Sequence, residues 1–144
     1  MDEAWSFFSD PANLAEITPP SLQPRITSEL GDEMYAGMII TYRVSPFRGV
    51  TVNWVTEITH VNKPHLFVDE QRFGLYRFWH HQHHFRAIKG GTEIRDVVHY
   101  SFFISPFDWI INAIIVRKKL QEIFSYRRRY LEKKFGKMKA ESGG

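Results

Sequence analysis

The run Trp79-His80-His81-Gln82-His83-His84-Phe85 constrains this chain more than any other segment. Successive side chains of an extended strand point to opposite faces, so Trp79, His81, His83 and Phe85 share one face while His80, Gln82, His84 and Arg86 share the other. A sheet buries the face that carries its large apolar side chains. Here that face holds two histidines between aromatic ends, so any fold that accommodates it has to place imidazoles in its interior.

Neighbouring segments repeat the pattern. Phe67, Asp69, Gln71 and Phe73 fall on one face of a strand, and Ile94, Asp96, Val98, Tyr100, Phe102 and Ile104 on one face of another. Each such face is apolar at its ends and polar in the middle. Ile40, Tyr42 and Val44, then Val52, Trp54, Thr56 and Ile58, supply two more. Strands are predicted over 22–30, 38–45, 51–62, 66–73, 77–88 and 92–104, separated by Gly31-Asp32, Ser45-Pro46, Asn62-Lys63-Pro64, Gly74 and Gly90-Gly91. These connections are of hairpin length, which predicts an antiparallel meander. Side by side, the inner faces wall a cavity with Tyr42, Trp54, Phe67, Phe73, Trp79 and Phe85. They also direct a polar band of Asp69, Gln71, His81, His83, Asp96 and Tyr100 into it. Burying such a band is costly unless it meets water or a ligand.

Helices flank the strands. Asp2 to Phe8 reads as a short helix capped by Asp2, with Trp5 and Phe8 on one face; Asp10-Pro11 opens a second, which Pro19-Pro20 ends. Ser105-Pro106-Phe107-Asp108 places an N-cap serine, a proline at the first helical position and an acid three residues after the cap. A helix is predicted from there to about Phe135, with Gly136 as its stop. Its apolar stripe runs through Phe107, Ile110, Ile111, Ile114, Ile115, Leu120, Ile123, Phe124, Tyr130 and Leu131, with Lys and Arg on the opposite side.

The net charge of +3 hides an asymmetry. Arg117 to Lys139 carries ten basic residues against Glu122 and Glu132, leaving nine basic and fourteen acidic residues elsewhere. The positive charge is thus expected on one helix face that includes Arg127, Arg128 and Arg129; a solvated face is the favoured reading, and an anionic membrane surface is the alternative it suits. No glycine-rich phosphate loop, zinc-finger spacing or RNA-binding aromatic motif accompanies it, which argues against nucleic acid.

With 144 residues, 12 Phe, 6 Tyr and 4 Trp, the chain is expected to form one globular domain, residues 1–144, with a core or a core partly replaced by a cavity. It has no cysteine, which excludes disulfides, thiol nucleophiles and thiolate metal sites. A cytoplasmic location is expected, there being no cleavable apolar segment at the start. The apolar stretch Trp109 to Val116 falls far short of the roughly 18–20 residues of a membrane span.

His81 and His83, with Asp69 or Asp96, form a donor set that suits Zn, Fe or Mn. A hydrogen-bonded buried network of the same residues is the favoured reading, so no metal and no cofactor are expected. A histidine–carboxylate pair in an apolar pocket can also move a proton on a bound substrate, with His81, His83 and Asp96 as the candidates. Nucleophilic catalysis finds no support: there is no Gly-x-Ser-x-Gly elbow and no serine placed beside the histidines.

The segments Ala4-Trp5-Ser6-Phe7-Phe8-Ser9-Asp10-Pro11-Ala12-Asn13-Leu14, Phe67-Val68-Asp69-Glu70-Gln71, Trp79 to Phe85 and Asp96-Val97-Val98-His99-Tyr100 resemble a bacterial branch of the START-like, Bet v 1-like (SRPBCC) superfamily. That branch is loosely described as ligand-binding or polyketide cyclase-like. The resemblance implies an α+β helix-grip fold, a curved antiparallel sheet wrapped around a long C-terminal helix with two short N-terminal helices. It also implies a protein that holds a hydrophobic, lipid-like or aromatic small molecule in an internal cavity. The alternative it implies is a cyclase/dehydratase-type enzyme acting on a polyketide-like substrate, with a pocket histidine as general acid/base. The superfamily's plan begins with a strand ahead of the first helix, which Met1-Asp2-Glu3 does not supply. The final strand is therefore expected to pair with an upstream segment or with the equivalent edge of a second copy, giving a homodimer.

Overall fold

Alternation with period two produces the sheet, and the long 3.6-period stripe produces the helix that crosses it. The computed structural model describes residues 1–31, 33–102 and 109–137. Helix α1 (Asp2–Phe8) is followed by two 3-10 turns, Pro11–Ala15 and Pro20–Leu22, then by β1 (Arg25–Ile26), β2 (Met38–Phe47), β3 (Val50–Asn62), β4 (Leu66–Phe73), β5 (Tyr76–Ile88), β6 (Gly91–Phe102) and α2 (Trp109–Phe135). The six strands lie in chain order and every neighbouring pair is antiparallel, the expected meander. Among the described residues β6 has β5 as its one strand neighbour. The helix start at Ser105-Pro106, the stripe residue Phe107 and the strand residue Ile104 lie outside the described residues.

The N-terminal elements differ from expectation in three ways. Met1, not Asp2, holds the cap position of α1, without a side-chain cap; Asp2 and Glu3 occupy the first turn, where carboxylates favour the helix dipole. Asp10 does accept a hydrogen bond from Ala12 N–H at 2.9 Å, but the turn it starts is 3-10 and ends at Ala15. Thr18 then bonds the Leu14 carbonyl through its side chain, at 2.6 Å, just before Pro19-Pro20 forbids further helix. Strand β1 is two residues long instead of 22–30. Pro20–Leu22 forms a turn, Gln23 sits at φ 44°, and Pro24 has no N–H for the ladder.

Two bulges re-aim side chains. Between the pairs Val55↔Phe73 and Thr56↔Gln71 the β3–β4 ladder shifts by one residue, and between Tyr76↔Phe102 and Phe78↔Ser101 the β5–β6 ladder does the same. An extra residue in one strand inverts every face beyond it. Phe73 is thereby sent to the outer face, 64% exposed, and Tyr76 is brought to the concave face.

Gln71 closes the β4–β5 turn. Its amide donates to the Tyr76 carbonyl at 2.6 Å and accepts from Tyr76 N–H at 3.2 Å. Gly74 makes room for this clamp, because a Cβ there would stand 2.5 Å from Gln71 Oε1 and 2.8 Å from its Cδ. Gly74→Ala is therefore expected to break the clamp and lower stability by about 1–2 kcal/mol. Urea unfolding of Gly74→Ala beside Gly37→Ala, where a Cβ meets nothing within 4 Å, separates the loss of the clamp from the backbone cost of replacing glycine.

The packed core lies at one end of the concave face. Trp5, Phe7 and Phe8 of α1 join Ile17, Met38, Ile40, Ile58, Phe67 and Phe85 there. Trp5 meets Phe67 and Phe85 edge-on, with centroids 5.9 and 5.5 Å apart. The C-terminal half of α2 is tied to the same end: Tyr130 stacks on Phe7, and both the Tyr130 hydroxyl and Lys134 Nζ donate to Glu16. The stripe of α2 corrects the sequence reading. Ile114 and Ile115 are exposed, and Arg127, assigned to the basic face, is 8% exposed and points inward. Among the described residues no helix is long and apolar enough to cross a membrane.

Candidate functional site

Away from the α1 end, the sheet and α2 do not close on each other. A cavity of about 210 Å³ remains, bordered by side chains of α1, the Pro11–Ala15 turn, β2 to β5 and α2. A single water needs roughly 10–15 Å³ of such space, so this is no packing defect. Its walls are largely apolar: Ile40, Val44, Trp54 and Tyr76 come from the sheet and Leu120, Ile123 and Phe124 from the helix.

One polar group on the sheet side is self-contained. Thr56 Oγ1 accepts from Trp54 Nε1 at 3.0 Å and shares a 2.9 Å hydrogen bond with the Tyr42 hydroxyl. Burial pushes the Tyr42 phenol up and Asp69 adds to the effect, so it stays protonated.

The second polar group is ionic. Strand pairing sets Asp69 opposite His81 and Asp96 opposite His83, so two neighbouring imidazoles are bracketed by carboxylates from the strands on either side. His81 Nε2 lies 2.9 Å from Asp96 Oδ1 and its Nδ1 3.3 Å from Asp69 Oδ2; His83 Nε2 lies 2.8 Å from Asp69 Oδ2 and its Nδ1 3.0 Å from Asp96 Oδ1. Trp79 Nε1 donates to Asp69 Oδ1 at 3.3 Å. From α2, Arg127 Nη1 donates to Asp96 Oδ1 at 3.2 Å, with its guanidinium over the Phe124 ring. His83 is also stacked on Phe67, ring centroids 4.1 Å apart. His81 and His83 are 4% and 5% exposed, so this cluster belongs to the interior.

The charges are mutually supporting. Burial alone would raise both carboxylates, but His81 and His83, with Arg127 at Asp96, outweigh it and hold them far below the usual carboxylate range. Burial alone would lower His81, and the two aspartates outweigh it in turn, leaving His81 raised above its ordinary value. With both carboxylates ionised and Arg127 charged, one imidazolium makes the cluster neutral.

Of the residues read from sequence as a pocket, Tyr42, Trp54, Phe67, Asp69, Trp79, His81 and His83 border the cavity. Asp96 stands behind the imidazoles, held by Arg127. Phe73 does not border it, having been turned outward by the bulge. Gln71 is the turn clamp and not part of the polar band. Phe85 packs under Trp5 and Phe8 in the core. Tyr100 shares a strand pair with Trp79 but is 37% exposed and lies outside the cavity, its ring near Tyr76 and Trp79. His80 and His84 occupy the outer face, half-buried, with His80 on Glu70 at 2.7 Å and His84 on Gln82 at 2.9 Å.

Two site residues escaped the sequence reading. Arg127 follows Leu120 by seven positions and Phe124 by three, the spacing of one helix face, so its position in the stripe was the available signal. Tyr76 reaches the cavity through a bulge that leaves no trace in the alternation.

No protein-family model matches the chain, and no curated protein matches it. Solved structures do. Protein Ms6760 from Mycobacterium smegmatis superposes with a TM-score of 0.62 at 20% identity, over 92% of this chain and 83% of its own. TTHA0849 from Thermus thermophilus gives 0.58 at 17%, over 85% and 82%. A Staphylococcus epidermidis protein solved by NMR gives 0.62 at 10%, over 99% and 87%. The fold is a helix-grip fold. At these identities the likeness extends to the architecture alone.

Proposed function

We propose that this chain binds a hydrophobic small molecule, aromatic or lipid-like, in the cavity between its sheet and α2. The observation that carries the reading is the cavity itself: about 210 Å³ of space, largely apolar, with a built ionic wall of Asp69, His81, His83 and Arg127 on one side. Protein interiors are otherwise packed to crystal density, and an apolar hollow with a few convergent polar groups is the usual form of a ligand site. The apolar body would lie along Tyr42, Trp54, Tyr76 and Phe124, with a carbonyl or hydroxyl toward the ionic wall. Membership of the START-like superfamily accords with the helix-grip fold and the segments around Trp5, Asp69, His81 and Asp96.

Native mass spectrometry of the chain purified from its own host tests this directly. The expected result is a small compound retained in the folded protein and released on denaturation; a chain that carries nothing and takes up no apolar compound overturns the reading. The alternative, a cyclase/dehydratase-type enzyme, draws on the contacts of His81 with two carboxylates, which equip it as a proton donor. Recovery of a supplied polyketide-like compound chemically altered would decide for turnover.

A further inference from the structure

We propose that Asp69, His81 and His83 form a binding site for one divalent first-row transition ion, Zn²⁺ or its neighbours, on the polar wall of the cavity. The inference goes beyond the small-molecule reading and stands without it.

Asp69, His81 and His83 each offer one ligand atom, and these atoms lie within 4.8 Å of one another; Asp69 Oδ2 stands 3.3 Å from His81 Nδ1 and 2.8 Å from His83 Nε2. Donors around a tetrahedral ion bonded at about 2.0–2.1 Å stand roughly 3.3 Å apart, close to the two distances from Asp69 Oδ2, so modest side-chain adjustments admit a cation. Two imidazoles and a carboxylate are a donor set for Zn, Fe or Mn and a poor one for Ca or Mg.

The outer shell favours Asp69 over Asp96 as the ligand. Metal-bound histidines direct their other nitrogen to a carboxylate or carbonyl, and here both remaining nitrogens, His81 Nε2 and His83 Nδ1, face the same Asp96 oxygen at 2.9 and 3.0 Å. Asp96 is fixed by Arg127 and does not border the cavity, whereas Asp69, His81 and His83 do. The open side of the three donors is therefore the cavity side, where a ligand oxygen or water completes the coordination.

A second observation is independent of the convergence. His83 Nδ1 is buried and makes no hydrogen bond, although an Asp96 oxygen lies 3.0 Å away. The ring as it stands serves Nε2 at the expense of Nδ1, leaving a buried polar atom unsatisfied. With Nε2 committed to a cation, the proton moves to Nδ1 and the ring is free to turn it onto Asp96.

The test is titration of chelator-treated chain with Co²⁺, followed by its visible absorption, and with Zn²⁺ as competitor. One equivalent is expected to bind, giving absorption bands of a nitrogen- and oxygen-ligated ion that Zn²⁺ abolishes. Asp96→Asn is expected to keep the stoichiometry and weaken binding 10–100-fold, Asp69→Asn to abolish it, and the His80→Gln/His84→Gln pair on the outer face to leave it unchanged. Because an altered interior can fail to fold, long-range ¹H–¹⁵N spectra of the unaltered chain with Zn²⁺ give a second readout. The Nδ1 of His81 and the Nε2 of His83 should shift as metal-bound nitrogens. Absence of binding, loss of binding in the His80/His84 variant, or Zn²⁺ uptake that leaves the His81 and His83 nitrogens unmoved overturns the proposal.

Discussion

Arg127→Ala is expected to destabilise the folded chain by about 3–5 kcal/mol. Its guanidinium is almost wholly buried and donates to Asp96 at 3.2 Å, and Asp96 also faces both imidazoles. Removing the arginine leaves a carboxylate in the interior with less compensating charge, and breaking one partner of such a pair costs far more than the pair itself contributes. Arg128 is the internal control. It pairs with Glu132 at 3.0 Å on the surface, with three-quarters of its side chain exposed, so Arg128→Ala should change stability by less than about 0.5 kcal/mol. Urea unfolding followed by circular dichroism compares the two. Equal, small losses would mean that Arg127 is solvated like its neighbour and that the ionic wall is not built as described.

That contrast also shows what the sequence could reveal. A count of charges groups Arg127 with Arg128 and Arg129, but the 3.6-residue period separates them, since Arg127 shares a face with Leu120 and Phe124. The sheet was legible for a related reason: alternation over Trp79 to Phe85 fixes which histidines face inward, and slipping the register by one residue would invert every side chain at once. His81 and His83 accordingly lie inside while His80 and His84 lie outside. Bulges broke the same logic. Periodicity holds only until a residue is inserted into one strand, so Phe73 and Tyr76, each just beyond a shift, took the faces opposite to those their parity assigned. Gln71 is the converse case. It keeps its inward parity opposite Thr56, yet its side chain is long enough to turn along the strand and bond the backbone at Tyr76. Alternation specifies a face, not a partner.

The same geometry makes the cavity open to attack from the helix. Ile123 borders the cavity on α2, opposite the aromatic wall of Trp54 and Tyr76. Ile123→Trp is expected to place its larger ring into the hollow, where there is space, and so to lower stability by less than the roughly 1–3 kcal/mol that overpacking a filled core costs. It should also exclude a ligand. Binding of an uncharged aromatic dye such as N-phenyl-1-naphthylamine, read from the dye's own emission, is expected to weaken at least about tenfold, equivalent to about 1.4 kcal/mol. Ile39→Trp is the matched control, because Ile39 is exposed on β2 opposite Glu57 and adds the same ring outside the cavity. Dye affinity that falls in the first variant and holds in the second locates binding between the sheet and α2. Equal affinity in both variants, with Ile123→Trp folded as the parent, would show that the hollow is not where apolar compounds enter, because a ring filling the site cannot leave its occupant undisturbed.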